Sequence, residues 1–338
     1  MLERTRKKPT LSDVAHISGV SPATVSRVLH GNAKVAEPIR LKVEAALKEL
    51  SYTRKPTPHP TRSRQATTIG LVVPDLSNPF FPLLIKGIEN VAKMYDFSLM
   101  LGDSENSTDI ETRLLETLLE RRIDGLLFVP VSGESSYVTR LVDQSFPIVF
   151  VDRRIHDRRI NAFTAANELG AYQAIQYLLS LGHRQILYIG GQENLTTEQE
   201  RLEGYKRALA ESDIAFDENY VVRGNYTWTG ARDALQKVLQ DGQKFSAIFA
   251  ANDVMAFGAI QLLERKGLAV PEDISVMGFD DIPFSELLSL TTVSQHPYEM
   301  GIGAMTMLVH LIQNRLEPPN SRTLMPSLII RKSCRRHP

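Results

Sequence analysis

From Thr68 onward the chain alternates short apolar runs with amphipathic stretches, and this alternation restricts the fold more than any other feature. The runs at 69–73, 98–101, 125–129 and 148–151 are rich in Ile, Val, Leu and Phe and too short for helices. They read as strands buried on both faces, as in parallel sheets. Between them, 81–94, 109–121 and 135–144 repeat apolar residues at helical spacing. The pattern then recurs, with strands expected at 185–189, 220–223, 247–250 and 275–278. The matching helices are expected at 167–181, 198–212, 229–241 and 253–266. Such alternation specifies α/β units with a parallel sheet. Two sets of units predict two lobes with a cleft between them.

Ahead of this body, Thr10 to Gly31 reads as two short helices and a tight turn. Thr10 is a good N-cap, and Asp13 three residues on can answer it as in a capping box. Leu11, Val14, Ala15 and Ile17 give a mostly apolar inner face. Gly19 ends the first helix as a residue able to take positive φ. Ser21 then Pro22 is a second start signal, an N-cap hydroxyl followed by proline at the first helical position. Val25, Val28 and Leu29 form a buried stripe, leaving Pro22, Ala23, Ser26, Arg27 and His30 on the opposite face. This is helix-turn-helix spacing, whose second helix suits the major groove. Spacing alone is equally compatible with a helical hairpin that packs on something else. A third helix is expected over 37–50, with Ile39, Val43, Ala46, Leu47 and Leu50 inward and Pro38 tolerated in its first turn.

Charge favours DNA over the hairpin. Residues 1–68 hold thirteen Lys and Arg against five acids, a net of +8; the whole chain has 39 of each, so the remainder carries −8. A basic head on an acidic body suits a polyanion, because Lys and Arg displace counterions from phosphate. The basic tail at 1–9 reads as a disordered terminus. The single cysteine, Cys334, permits no internal disulfide and fits a reducing compartment. The sequence MLERTRKKPT has no apolar core of a secretory signal, and no run of eighteen apolar residues suggests a membrane span, so a cytoplasmic protein is expected.

The run AHISGVSPATVSRVLHG resembles the opening of the LacI/GalR family of bacterial transcription regulators. The resemblance continues through DLSNPFF, RRIDGLLF, VDRR, LGHRQILYIGG, RLEGYKRAL, AANDVMAFGA, VPEDISVMGFDD and LTTV. It implies an all-α helix-turn-helix head over 1–52, a linker over 53–67, and an α/β two-lobed periplasmic-binding-protein-like core over 68–338. Lobe 1 would span about 68–163 plus 296–330 and lobe 2 about 164–294, with the helix near 298–314 and the strand near 328–330 returning to lobe 1. It also implies a repressor acting as a homodimer on an operator, controlled by a small-molecule effector. The residues assigned to DNA are Thr10, Ser21, Pro22, Ala23, Thr24, Ser26, Arg27, His30 and Asn32, with Arg27 reading a guanine.

The linker departs from the family, in which a hinge helix inserts a leucine into the minor groove. Here Pro56, Pro58 and Pro60 interrupt that stretch and Thr61 stands at the leucine's place. Pro58 and Pro60 would each cost a helix about 3 kcal/mol. An extended spacer is therefore expected.

Ligands of open α/β sheets bind beyond the carboxyl ends of strands. Polar and aromatic residues there suit a polyhydroxylated or nucleoside-like ligand. By resemblance Phe80, Phe81, Arg201, Tyr226, Asn252 and Asp280 fall on effector-contacting positions, Asp152 lies close by, and Leu195 and Thr197 line up with pocket positions. Leu195 stands where purine binders carry arginine, and Ala165 where some members carry an acid. The alternative readings are helix caps for Asp152 and Asp280, and core or dimer contacts for Phe80 and Phe81. No GxSxG, P-loop or HExxH pattern and no metal-ligating histidine cluster appears, so neither an enzyme nor a cofactor is expected. The rival reading is a cytosolic sugar-binding or sugar-processing protein with an incidental helical head.

Overall fold

The computed structural model describes residues 11–21, 24–25, 28, 36–50, 67–155, 159–314 and 319–337. The chain divides into two units, Met1–Gln65 and Ala66–Pro338.

In the first unit, helix α1 spans Leu11–Ser18. Val14 and Ala15 are buried, and so is Ser18, whose hydroxyl donates to the Val14 carbonyl at 2.7 Å. Ile17, expected on the inner face, is instead 45% exposed. The inward stripe runs through 14, 15 and 18, and Ile17 sits about 200° around the helix from Ala15. Gly19 closes the helix at φ +66, and the Val20 N–H reaches back to the Ala15 carbonyl at 3.1 Å. The Ser21 hydroxyl then accepts from the Thr24 N–H at 3.2 Å and so starts the next helical segment, in which Thr24, Val25 and Val28 are described. Helix α2, Glu37–Glu49, carries proline in its first turn and buries Val43 and Ala46. These pack with Val14, Ala15 and Val25 in a small core. The proline-rich linker, with Pro56, Pro58, Pro60 and Thr61, lies outside the described residues.

The second unit opens with β1 (Thr68–Val73), α3 (Phe80–Met94), β2 (Ser98–Asp103), α4 (Thr108–Glu120), β3 (Gly125–Phe128), α5 (Ser136–Asp143), β4 (Ile148–Val151) and β5 (Ala162–Ala165). It continues with α6 (Asn167–Ser180), β6 (Ile186–Gly190), α7 (Thr196–Ala210), β7 (Val221–Arg223), α8 (Trp228–Gln240), β8 (Ala247–Ala250), α9 (Asp253–Arg265) and β9 (Ser275–Met277). It ends with α10 (Pro283–Leu287), β10 (Thr292–Ser294), α11 (Pro297–Ile312), β11 (Ser321–Leu324) and β12 (Ser327–Ile329).

The strands form a six-stranded sheet, β11-β5-β4-β3-β1-β2, and a four-stranded sheet, β7-β6-β8-β9, one per lobe. All pairs in both sheets are parallel. Helices cover both faces, so successive strand residues are buried on opposite sides: Leu71 and Val73 face one core cluster and Val72 the other. This is why the strands read as unbroken apolar runs. Helix α11 returns to the first lobe and crosses α3 closely. A Cβ on Gly87 would overlap the Tyr298 carbonyl, and one on Gly301 the Leu84 carbonyl.

The strand expected near 328–330 does not join the first lobe's sheet. Ser327–Ile329 pairs antiparallel with β10 instead. The tail beyond it runs along the second lobe, where the Val276 N–H donates to the Ser333 carbonyl at 2.8 Å and the His337 N–H to the Leu181 carbonyl at 2.8 Å. Strand β9 is an edge strand, and the tail satisfies backbone groups that the edge leaves open.

Candidate functional site

The carboxyl ends of strands from both lobes converge on one cavity. Asn78, Phe80 and Phe81 follow β1, and Asp152 and Arg153 follow β4. From the second lobe, Thr197 and Arg201 follow β6, Tyr226 follows β7, Asn252 follows β8 and Asp280 follows β9. Gln295 follows β10, the strand that crosses between the lobes. These eleven residues line a space of about 20 Å³, room for roughly one water. Of the nine residues that the resemblance places at the pocket, eight are among them. Leu195 is buried but does not border the space.

Arg201 is the centre of the site. It is 3% exposed, and each part of its guanidinium has a partner. Its Nε donates to the Asn167 side-chain oxygen at 3.0 Å, and its Nη1 donates to the Ala251 carbonyl. Its Nη2 lies 3.9 Å from an Asp280 oxygen. The guanidinium stacks 4.0 Å over the Phe279 ring. Asp280 also accepts from the Gln295 amide at 2.6 Å. Burial pushes the Asp280 carboxyl well above the usual carboxylate range against the pull of Arg201. Asp152 is raised for the same reason, with Arg153 and Arg201 opposing.

Tyr226 forms the aromatic side. The Arg153 guanidinium sits 5.6 Å from its ring centre and that of Arg201 5.9 Å. Its hydroxyl donates to the buried Glu198 carboxylate at 3.4 Å, which also accepts from the Gly191 N–H at 2.7 Å and Tyr188 at 3.1 Å. Gly191 is required for this placement, since a Cβ there would overlap the Tyr226 ring. Phe80 and Phe81 meet edge-on with centroids 5.2 Å apart. They belong at once to the core of the first lobe and to the cavity wall. Asn252 likewise serves twice: its side chain caps α9 by accepting from the Met255 N–H at 2.8 Å. Asp152 and Asp280 cap no helix.

Two further observations mark the cavity. Asp152 (φ 61), Tyr226 (φ 61) and Asp280 (φ 117) all hold left-handed backbone, which costs a non-glycine residue about 1–3 kcal/mol. Among the described residues three buried side-chain polar atoms have no hydrogen-bond partner: Asp152 Oδ1, Arg153 Nε and Gln295 Oε1. All three belong to cavity residues. Unsatisfied groups of this kind are rare in native proteins and need a reason.

The mouth is bridged. Arg154 of the first lobe pairs with Glu200 of the second at 2.7 Å. The Gly133 N–H donates to the Asn194 carbonyl at 3.3 Å and the Asn194 amide to the Ser132 hydroxyl at 3.5 Å.

Sequence reasoning did not assign Asn78, Arg153 or Gln295. The first two stood in motifs already read as strand ends. Gln295 had no signal, because it follows a three-residue strand. Of the residues assigned to DNA, Ser21 is exposed, Thr24 half-buried, and Ser21 caps Thr24. Thr10, Pro22, Ala23, Ser26, Arg27, His30 and Asn32 lie outside the described residues. No group of three or more metal-ligating side chains occurs among the described residues, and no described helix is long and apolar enough to cross a membrane.

Comparison with known proteins agrees across head and core. Residues 10–55 match the family described as bacterial regulatory proteins, lacI family, and residues 66–333 match periplasmic binding proteins and sugar binding domain of LacI family. The chain is 35% identical over 302 residues to catabolite control protein A of Priestia megaterium, covering 88% of this chain and 91% of that protein. It is 33% identical to the transcriptional repressor CytR of Escherichia coli K12, covering 97% of each. Among solved structures, a CelR–cellobiose complex is similar with a TM-score of 0.74 and 30% identity, over 96% of this chain and 99% of that one. A LacI family regulator from Enterococcus faecium with bound ribose has a TM-score of 0.72 and 27% identity, over 80% of this chain and 100% of that one. Head, two-lobed core and these matches together lead to one conclusion: the chain belongs to the LacI family of bacterial regulatory proteins.

Proposed function

We propose that this chain is a cytoplasmic transcriptional repressor. It binds an operator as a homodimer, and a small effector held between its lobes sets its operator affinity. The observation that carries the reading is the convergence of six strand ends and the crossover strand β10 on one polar and aromatic cavity. That is where open α/β sheets take ligands. The sugars bound in the CelR and Enterococcus faecium structures support a sugar or nucleoside-like effector. The names of the Escherichia coli relatives, CytR and the ribose operon repressor, support repression. The dimer follows from DNA geometry, since one recognition helix reads a half-site and two about 34 Å apart read an operator. The site binds without transforming its ligand.

A cavity of about 20 Å³ holds no sugar ring, so an effector enters only when the lobes part and the mouth contacts break. Opening and closing moves the first lobe, from which the linker leaves at Thr68.

Selection of duplexes from a random pool by the full chain, at fixed salt, tests the DNA half. A palindromic consensus is expected, and Arg27→Ala is expected to flatten preference at one position of each half-site, by about 1–3 kcal/mol. An unchanged preference removes Arg27 from base reading, and no consensus at all refutes the operator. For the effector half, Arg201→Ala or Asp280→Ala is expected to abolish the response of operator binding to ligand while keeping the binding itself. A normal response in either variant moves the effector elsewhere.

A further inference from the structure

Resting on that effector-site reading, we infer that Glu198, acting through Arg223, is a positioning residue that makes the cleft wall at Tyr226 and the mouth of the cleft move as one piece. From the second lobe, the turn at 191–196 between β6 and α7 carries much of the mouth. Asn194 accepts from the Gly133 N–H at 3.3 Å and donates to the Ser132 hydroxyl at 3.5 Å. The Thr196 hydroxyl accepts from the Arg154 N–H and donates to the Arg154 carbonyl, both at 3.4 Å. Ser132, Gly133 and Arg154 all belong to the first lobe.

Glu198 stands behind that turn, in the first turn of α7. It is 1% exposed and lines no part of the cavity. One of its oxygens accepts from the Gly191 N–H at 2.7 Å, the Tyr188 hydroxyl at 3.1 Å and the Tyr226 hydroxyl at 3.4 Å. The other pairs with Arg223 Nη1. Arg223 then reaches forward to the mouth turn: its Nε donates to the Glu193 carboxylate at 3.2 Å, and its Nη2 lies 3.1 Å from it. Glu193 precedes Asn194. A chain of polar contacts thus runs from Tyr226 through Glu198, Arg223 and Glu193 to the turn that touches the first lobe. The end of β6 leaves room for it. A Cβ on Gly190 would overlap both the Glu198 carboxylate and the Arg223 guanidinium.

A buried carboxylate is an expensive way to pack this spot. Burial raises the Glu198 carboxyl, against the pull of the Gly191 N–H and Arg223, and apolar residues of similar volume often replace a buried ion pair without loss of stability. What they would not replace is the link. A ligand shifts a conformational equilibrium only through contacts that differ between the two states. Tyr226 borders the cleft, and the 191–196 turn meets the other lobe only when the mouth is shut. Joining them at Glu198 lets an occupant beside Tyr226 bias closure.

The test traps the closed mouth in the full chain. Cysteines are introduced by Arg154→Cys and Glu200→Cys, whose natural side chains meet across the mouth at 2.7 Å. The rate at which a short bismaleimide links them is followed on denaturing gels. Cys334 does not compete, because burial pushes its thiol up to about 12. Glu198→Ala is expected to slow trapping at least fivefold. Glu198→Gln, which keeps an acceptor for Gly191 and Tyr226, is expected to slow it less. Tyr226→Phe keeps the ring beside Arg153 and removes only the hydroxyl. It is expected to slow trapping at least twofold while Glu198 is present and to add nothing in the Glu198→Ala background, an interdependence that a residue serving only the fold would not give. Circular dichroism melts confirm that each variant is folded. Trapping that Tyr226→Phe leaves unchanged, or slows equally with and without Glu198, overturns the inference. Calorimetry with ribose, glucose, cellobiose and adenosine then separates it from the reading it rests on. At least one probe is expected to bind the full chain and to bind Glu198→Ala at least fivefold more weakly. If no probe binds at millimolar concentration while the trapping pattern holds, the joint stands and the effector-site reading falls. If a probe binds the full chain and Glu198→Ala equally well, the inference falls and the effector-site reading stands.

Discussion

Asp253 and Asp152 are both buried carboxylates near the junction of the lobes, and their surroundings differ. Asp253 lies behind the cleft. It accepts from the Ile282 N–H at 3.0 Å, the Ser285 hydroxyl at 2.6 Å and the Thr292 hydroxyl at 2.5 Å. It joins α9, α10 and β10, and its bonds are internal. Asp152 lies on the cleft wall, where one oxygen has no partner and its neighbour Arg153 is also left incomplete. Burial raises the carboxyl of both. A polar cluster that serves the fold closes its own hydrogen bonds, whereas one that serves a ligand keeps some open and accepts the cost. The same contrast separates the helix cap at Asn252, with its bond made to Met255, from Gln295.

The largest effect expected from this comparison is on stability. Asp253→Ala strands a backbone N–H and two hydroxyls, and is expected to cost about 3 kcal/mol or more in urea unfolding. Asp152→Asn combined with Arg153→Met removes an incomplete buried pair and keeps its volume. It is expected to change stability by less than about 1 kcal/mol, or to stabilise. A double variant that costs as much as Asp253→Ala would erase the distinction.

A second effect depends on pH. Burial pushes Asp253 and Glu111 up to about 7. Because each folded-state value lies above the ordinary one, the stabilisation these groups give is complete below the ordinary carboxylate range. It is lost as pH rises through about 7. Unfolding free energy is therefore expected to fall by about 1–3 kcal/mol between roughly pH 5 and pH 8. Glu111→Gln should flatten that slope while keeping an acceptor for the Val131 N–H, which Glu111 binds at 2.8 Å. A slope unchanged in Glu111→Gln and in Asp253→Asn would place the titration elsewhere.

The smallest effect belongs to the mouth. Arg154 and Glu200 are 52% and 28% exposed at the side chain, and such pairs contribute about 1 kcal/mol or less. Arg154→Ala should leave unfolding almost unchanged while favouring parted lobes, read as a larger radius of gyration in small-angle scattering. A loss of several kcal/mol would show that the mouth carries part of the fold.

Much of this architecture was legible in the residues. Eight strands and seven helices of the core stand within a few residues of where apolar runs and helical spacing put them, because strands buried on both faces cannot hide their composition. Strand β5, with AFTA, and strands β10 and β11, with TVS and SRTL, escaped notice because each holds a single large apolar residue. Ile17 was misread because one turn of helix does not distinguish neighbouring faces of an eight-residue segment. The eight assigned cavity residues were found through strand ends and a family resemblance, and both are sequence properties.

Local sequence determined the elements, their caps at Ser21, Ser107, Thr227 and Asn252, and the net charge that separates head from body. Tertiary structure decided where the tail goes, and which of two strand-end acids, Asp253 after β8 or Asp280 after β9, faces the cavity. It also decided that Gln295 joins the site at all. Those outcomes turn on contacts between residues on different elements, such as Asp253 with Thr292 and the tail's His337 with Leu181. Periodicity reports a residue's own helix or strand, and it carries no information about the partner a distant strand will bring.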